Sequence, residues 1–480
     1  MPKLMWFRND LRVVDNTALW HACRGGASGE GVGGVVGVFA ICPEQWAAHD
    51  MAPVKVDLIL RTLGVLSADL ASLNIPLRIV TVARFKDVPR ALSEVCRDVG
   101  AREVHANREY EFNEIRRDEA VAAALGEEEI SFHAHHDQTI VAPGTLRTGE
   151  GRWYTVFTPF KKAWIKRLEA DGVPEVLGKP KKQEPVKIGA SDVPDRIKGF
   201  EPWPRPELWP AGEKEAMKRL GRFVGESIAS YKDDRDFPAI DGTSTLSHQL
   251  SIGSISPRQC LHAALGANAH KLDGPSAGAT HWISELVWRE FYRHLLAAYP
   301  RLCMGRAFKP ETERLAWRDD PGGFDAWREG RTGVPIVDAA MRSLLHTGWM
   351  HNRLRMVVAM YLTKDLLIDW RLGERHFMRH LVDGDLAQNN GGWQWSASTG
   401  TDAAPYFRIF NPISQSRKFD PEGAFIRRWV PELADLDDDD IHDPSGLPGL
   451  LRSTLGYPEP IVDRSIVKDR VTEAFQAIKS

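Results

Sequence analysis

Five short strand-like segments in the first third of the chain, at Leu4 to Phe7, Val35 to Ile41, Leu77 to Val82, Glu103 to Ala106 and Ile130 to His133, alternate with helix-like segments at Val54 to Leu73, Val88 to Val99 and Glu114 to Leu125. Strand and helix repeated in that order predict a doubly wound, parallel α/β sheet, because each crossover helix covers a face of the sheet it connects. From about residue 213 the periodicity becomes helical almost throughout, over Glu213 to Tyr231, Pro257 to Leu265, Thr280 to Tyr299, Val334 to Leu345, Met350 to Trp370 and Glu374 to Leu381. Between these regions, Val173 to Gly212 is rich in Pro, Lys and Gly without sustained period, as expected of a long connection. The expected organisation is an α/β domain over 1–135, a connector over 136–212 and an all-helical domain over 213–480. Glycines at 29–34 (GEGVGG) precede a strand, whereas a dinucleotide loop follows a strand and opens a helix, so they read as connector.

A formal charge of −3 over 480 residues excludes a generally cationic DNA coat, so any nucleic-acid contact must come from a local basic patch. The five cysteines (Cys23, Cys42, Cys96, Cys260, Cys303) are widely spaced without a C-x-x-C pair, which argues against disulfides and structural zinc and fits a reducing cytosol. Charged Arg8, Asp10 and Arg12 interrupt the N-terminus before a signal-peptide core could form, and no apolar run approaches membrane-spanning length. A soluble cytoplasmic protein is expected. The acidic run Asp437 to Asp440 has no spaced ligand pattern around it and reads as a solvated turn, so no metal is expected.

Residues 383–412, DGDLAQNNGGWQWSASTGTDAAPYFRIFNP, mix acids, amides, glycines and tryptophans in an order that neither helix nor strand periodicity selects. Asp383 and Asp385 offer acceptors, Asn389 and Asn390 amides, Gly391 and Gly392 a close backbone approach, and Trp393 and Trp395 large rings, a combination that reads as a binding site. Nine of the sixteen tryptophans lie beyond residue 280. On THWISELVWREFYRHLL, helical spacing stacks Trp282, Glu285, Arg289 and Tyr292 in one stripe, with Trp288 beside Glu285. Glu285 and Arg289 could form a plain i,i+4 ion pair; a carboxylate between tryptophans is also placed to meet the amide or imide edge of a base. TGWMHNRLRMVVAM groups Asn352, Arg353 and Met356, with Arg355 adjacent, and Gly242, Thr243, Ser244 and Ser247 form a hydroxyl-rich turn suited to phosphate or to an ordinary helix cap.

Taken with WFRNDLRVVDN at 6–16 and YTVFTPFKKAW at 154–164, these motifs cover nearly the whole chain, which resembles the DNA photolyase and cryptochrome family on its bacterial cyclobutane pyrimidine dimer photolyase branch. The resemblance implies an N-terminal antenna-chromophore domain and a helical domain holding FAD, with light-driven electron transfer splitting pyrimidine dimers in UV-damaged DNA. It implies FAD contacts from Tyr231, Thr243, Ser244, Leu246, Ser247, Trp282, Asn352, Asp383 and Asp385, with Asn389 at the flavin N5 edge. Trp393, Trp370 and Trp317 match an electron-passing chain. Glu285, Trp288, Asn352, Met356 and Trp395 match the lesion pocket, and Arg235, Arg289, Tyr292 and Arg353 complete the expected DNA-contacting set. Lys161, Lys162, Lys166, Arg167 and Arg408 are further candidates for a basic patch. Thr245 stands where many relatives carry a basic residue.

His49, Asn113 and Glu114 match antenna contacts of folate-type relatives, so 5,10-methenyltetrahydrofolate is the expected antenna, with a deazaflavin or an empty site as alternatives; Met304 replaces a helpful lysine. A monomer without an obligate protein partner, associated with the nucleoid when on DNA, is expected. The rival readings are a cryptochrome-type photoreceptor without repair, a (6-4) photolyase and a single-strand-preferring photolyase. Repair-type residues in the lesion positions and the absence of a long polar tail weigh against the first, and Asn352 and Met356 in place of histidines against the second.

Overall fold

The computed structural model describes residues 1–24 and 33–478; residues 29–32 of the GEGVGG segment lie outside them. The chain divides into two compact units, one of residues 1–229 with 244–300 and the other of residues 230–243 with 301–480. The first unit holds the sheet: β1 (Lys3–Phe7), β2 (Val35–Ile41), β3 (Leu77–Thr81), β4 (Glu103–Asn107) and β5 (Ser131–His135). They run parallel in the order β3-β2-β1-β4-β5, the doubly wound arrangement that the alternating pattern predicts. Central β1 is buried at every position, whereas edge strand β5 alternates exposed and half-buried residues, as burial on two faces against one edge requires.

Sequence signals set the crossover helices. Pro53 opens Pro53–Ala71 at its first position, and Val88–Val99 ends on Gly100 at φ +67°, the left-handed conformation that closes a helix. The stretch 136–212 contains a further helix, Phe157–Asp171, whose Trp164 is fully buried; from 172 to 205 there is neither helix nor strand. The first unit also includes helices Glu213–Glu226, Pro257–Gly266 and Ala277–Ala298. The expected continuous helix to Tyr231 breaks after Glu226 and resumes briefly as Tyr231–Asp234.

Two other expectations in the second unit are corrected. The Met350–Trp370 periodicity is not one helix: Asn352–Met360 passes into a π-helical turn at Tyr361–Asp365, Leu367 turns at φ +54°, and Asp369 caps a new helix, Trp370–His380, by accepting from Arg371 N at 3.0 Å. Thr363 Oγ donates back to Ala359 O at 2.7 Å, a bond that competes with regular helix geometry where the π turn forms. Conversely, the 383–412 run contains a regular helix, Leu386–Ala397, capped by Asp385, whose side chain accepts from Gln388 N. Gly391 and Gly392 each cost about 1 kcal/mol there relative to alanine, so burial of Trp393 must outweigh propensity. Among the described residues no helix is long and apolar enough to cross a membrane.

The WFRNDLRVVDN motif is a buried polar node. Asp10 accepts from Arg8 N at 2.7 Å and from Asn107 Nδ2 at 2.6 Å. Arg12 and Arg258 both donate to Asp137, Arg258 also reaches Asp15 at 3.0 Å, and all four side chains are at most 8% exposed. The two guanidinium groups hold Asp137 far below the usual carboxylate range against the upward push of burial. Asp137→Asn is expected to cost about 3–5 kcal/mol, because it leaves a buried guanidinium uncompensated. The depressed folded pKa means this stabilisation is present above the unfolded value near ~3.9 and is lost as pH falls below it. Urea unfolding of the parent and variant at pH 7 and pH 3 measures both; a parent that keeps its full advantage at pH 3 would contradict the assignment.

Candidate functional site

In the first unit, the Ala277–Ala298 helix begins at Ser276, whose hydroxyl accepts from Ala279 N at 3.2 Å. Trp282 is buried against Phe223, with ring centroids 4.9 Å apart. Glu285 is half-buried one turn later, its Oε1 4.0 Å from His281 Nε2. Arg289 donates to the carbonyls of Gln138 at 2.7 Å and Leu250 at 3.3 Å, tying the stripe to the segments before and behind it. Trp288 lies flat on Phe157, centroids 3.6 Å apart and planes within 4°, with Tyr292 at 5.7 Å on the same helix. Phe157 does not stand out in the sequence. Its only signal is membership of YTVFTPFKKAW, and stacking between segments distant in sequence is what reveals its task of holding Trp288 rigid.

Glu290, equally silent in the sequence, locks this helix to the segment after β5. Fully buried, it accepts from Ile140 N, from Val141 N at 3.2 Å and from Trp164 Nε1 at 2.7 Å; burial, opposed by these donors, pushes its carboxyl up to about 7. At the hydroxyl-rich turn, Ser244 is half-buried, Leu246 buried and Ser247 exposed at the start of the Ser247–Ile252 helix. The residue preceding that helix is Leu246, which supplies no side-chain cap. Thr245 sits at φ +47°, a strained position for a β-branched residue. Arg219 donates to Ser244 O at 2.9 Å and to Thr245 Oγ1, so a guanidinium from the Glu213–Glu226 helix brings positive charge to the place where the sequence lacks a basic residue.

In the second unit, Tyr231 is buried and Thr243 half-buried. Arg235 lies over the Tyr231 ring at 5.4 Å, and Asp236 gathers both arginines, 3.8 Å from Arg235 and 2.8 Å from Arg353. Arg353 further stacks on Phe419 at 4.4 Å. Asn352 is exposed at the first turn of Asn352–Met360 and Met356 half-buried one turn on. Arg355 grips both oxygens of buried Asp383, at 3.1 and 2.8 Å, and Met350 O at 2.8 Å. Asn389 donates its Nδ2 to Glu374 O at 2.9 Å, and Asn390 donates to Glu374 Oε1 at 2.9 Å. Glu374, another residue that no sequence motif marks, thereby orients both amides and leaves Asn389 presenting Oδ1 as the acceptor.

Trp393 and Trp395 sit on different faces of the Leu386–Ala397 helix. Trp393 is 2% exposed and packs edge-on to Phe377 at 5.0 Å and Trp327 at 5.9 Å, while Trp395 is half-buried. Trp370 belongs to the same apolar cluster as Trp393, fully buried, and half-buried Trp317 packs against it. Trp327 is a fourth ring there that the sequence pattern does not single out. Lys364 is fully buried and donates to Ala397 O at 3.2 Å and Ser398 Oγ at 2.8 Å, closing the C-terminus of the Asn389 helix with hydrogen bonds. Burial first, and Lys309 second, push its ammonium down to about 7.

The antenna candidates converge within the first unit. His49 Nε2 is 2.9 Å from Asn113 Nδ2, and its Nδ1 is 3.6 Å from Glu114 Oε1. His49 and Glu114 line a cleft with Phe39, Trp46, Phe85 and Arg117, at the carboxyl ends of β1, β2 and β4, where doubly wound sheets bind ligands. Burial, then the nearby Glu111 and Glu109, pushes the Glu114 carboxyl up to about 8.

Buried His351 Nε2, Arg353 Nε and Trp393 Nε1 have no protein hydrogen-bond partner. Orphaned buried donors and acceptors in the unit that also carries the pinned Asp383 and Asn389 fit a flat, polar-edged cofactor such as a flavin. Family models agree: residues 3–181 match "DNA photolyase" and residues 282–477 match "FAD binding domain of DNA photolyase". The chain is 46% identical to the Escherichia coli K12 protein named "Deoxyribodipyrimidine photo-lyase" over 99% of this chain and 98% of its relative. In structure it is similar to a bacterial class III photolyase from Agrobacterium tumefaciens, at 35% identity and TM-score 0.89 over 100% of this chain and 98% of that one. It is also similar to a Synechocystis cryptochrome, at 26% identity and TM-score 0.87 over 99% of each chain.

Gly373 exists to admit Trp393: a Cβ there would stand 2.1 Å from the Trp393 ring and 2.7 Å from Leu362. Gly373→Ala is therefore expected to destabilise the protein by about 1–3 kcal/mol through overpacking, despite alanine's better helix propensity, and to shift the near-UV dichroism of the displaced indole. A stabilised variant with an unchanged spectrum would refute the packing.

Proposed function

The chain belongs to the DNA photolyase family, and on that premise we propose that it repairs UV-damaged DNA as a deoxyribodipyrimidine photo-lyase, splitting cyclobutane pyrimidine dimers under light. The observation that carries the reading is the pairing of half-buried Glu285 with Trp288, one turn apart on the Ala277–Ala298 helix, the ring held flat by Phe157. A rigid aromatic plane beside a carboxylate suits a flipped-out dimer: the ring covers its apolar face and the carboxylate accepts from its imide N–H groups. Photolyases are a known case of base flipping, and a dimer that already stacks poorly costs less to extrude than an intact pair. Met356, Asn352 and Trp395 are the further proposed lesion contacts. Arg235 and Arg353, paired through Asp236, would meet the flanking phosphates, and Arg289 and Tyr292 are further proposed DNA contacts.

Bound FAD, when fully reduced, supplies the photoexcited electron that opens the cyclobutane ring and recovers it afterwards, with no net redox change. This chain's residues supply the rest. Arg355 fixes Asp383, which together with Asp385, Tyr231, Thr243, Ser244, Leu246, Ser247, Trp282 and Asn352 is proposed to hold the cofactor. Asn389, its amide nitrogen committed to Glu374 O, would present its oxygen to accept from an N–H of the cofactor. Trp393, Trp370 and Trp317 share one apolar cluster and grow more exposed at Trp317, the arrangement an inward electron relay requires. Functionally, 1–135 would serve the antenna and 213–480 the flavin and lesion. His49, Asn113 and Glu114 would hold a folate. The photoreceptor alternative is less favoured, since identity is 26% to the cryptochrome against 46% to the relative named for repair.

Glu285→Ala is expected to lower repair of dimer-containing oligonucleotides roughly ten- to a hundredfold, the loss of a hydrogen bond to a charged group, while FAD stays bound. Loss of flavin absorbance instead would make Glu285 structural, and repair of neither lesion type by the reduced parent under near-UV light would make signalling the better reading. Trp317→Phe is expected to slow photoreduction of oxidised flavin yet spare repair by chemically reduced protein. Equal loss of both would undo the separate role of the relay.

A further inference from the structure

At the far edge of the sheet lies a cluster that neither flavin nor DNA accounts for. Alternation along β4 puts Glu103 and His105 on one face, and the parallel register sets His105 beside His133 and Asn107 beside His135, so two neighbouring strands present a carboxylate and three imidazoles together. His105 Nε2 is 3.3 Å and His133 Nε2 3.8 Å from Glu103 Oε2. One donor atom from each of the three residues lies within 4.8 Å of the others. We propose that Glu103, His105 and His133 bind one divalent transition-metal ion of the zinc class, bridging edge strand β5 to β4.

The geometry matches that chemistry. Ligand bonds of about 2.0–2.2 Å to nitrogen and oxygen place tetrahedral donors roughly 3.3–3.5 Å apart, close to the 3.3 and 3.8 Å that separate Glu103 Oε2 from the two imidazoles. The remaining contraction falls on His133, which is exposed and can turn, and its exposure leaves an open path for the ion and a fourth position for water. His105, by contrast, is buried and held from behind, its Nδ1 3.0 Å from His135 Nε2. A ring whose second nitrogen is hydrogen-bonded is the usual support of a metal-ligating histidine. His135 in turn stacks on His21 with centroids 4.4 Å apart, and His105 on His133 at 4.7 Å. Nitrogen donors exclude magnesium and calcium as the preferred ions.

Lys3 opposes binding. Its Nζ lies 3.0 Å from Glu103 Oε2 and 3.3 Å from Arg24 O, so it competes for the carboxylate and holds affinity down. That gives the proposal a signed test. The full chain, purified without a histidine tag, is titrated with Co²⁺ by visible absorption and with Zn²⁺ by competition and equilibrium dialysis. One equivalent of Co²⁺ with a tetrahedral spectrum, displaced by Zn²⁺ but not by Mg²⁺, is expected. His133→Ala, an exposed change that should not disturb folding, and Glu103→Gln should each weaken binding at least tenfold. Lys3→Met should tighten it several-fold, and exposed His270→Asn should leave it unchanged. Zn²⁺ should also raise the melting temperature of the parent but not of His133→Ala. Substoichiometric binding, binding unaffected by His133→Ala, or weaker binding in Lys3→Met would overturn the site.

Discussion

Two arginines and two aspartates, taken almost wholly out of water, are the constraint on which the first unit rests. Arg12 and Asp15 follow β1, Asp137 follows β5, and Arg258 comes from the Pro257–Gly266 helix, so the quartet joins the sheet to a helix more than a hundred residues away in sequence. Desolvating four charges costs several kcal/mol per ion, and only close mutual pairing offsets it. That demand for geometry fixes where β1 ends and where the segment after β5 turns. Asp15 extends the same node to the connecting segment by accepting from Leu177 N at 2.8 Å.

Glu290 continues this logic one layer further out. The segment leaving Asp137 supplies Ile140 and Val141, whose amides are satisfied by Glu290 of the Ala277–Ala298 helix. The helix that carries Glu285, Trp288 and Arg289 is therefore positioned by buried polar bonds rather than by apolar contact alone. Arg289 adds a bond to Gln138 O in the same segment. Polar bonds are directional where apolar contact is not, which suits a helix whose side chains must meet a ligand at defined edges. In the second unit the comparable devices are the Arg355–Asp383 pair, Glu374 under the two asparagines, and Lys364 closing their helix.

Much of this was legible in the sequence, for identifiable reasons. The inner strands β1 and β2 were readable because buried parallel strands are short, continuous and apolar, the others because they recur between helical segments, and the helices because a 3.6-residue period survives burial. The Trp282–Tyr292 stripe was readable because it lies within one helix, where spacing alone decides which side chains are neighbours. The failures share the opposite property. The Asn389 helix was unreadable because its glycines and amides argue against helix, and tertiary burial of Trp393 overrides them. The break after Met360 was hidden because its periodicity runs on through Tyr361 to Trp370, while the back-bonding Thr363 and the Asp369 cap act through local hydrogen bonds that leave no periodic signal.

The sequence by itself determined the order of strands and helices, the family, and the residue types available for flavin, lesion and antenna, since these depend on local pattern and on motifs that can be matched residue by residue. Tertiary structure decided which groups touch. It placed Phe157 under Trp288, Arg219 against Thr245, Glu374 beneath Asn389, and, through the register of β4 on β5, Glu103 beside two histidines that no linear ligand spacing announces. The physical reason is the same in each case: a hydrogen bond, stack or ligand set is a relation of a few ångströms between residues that the chain separates, and only packing brings them within that range.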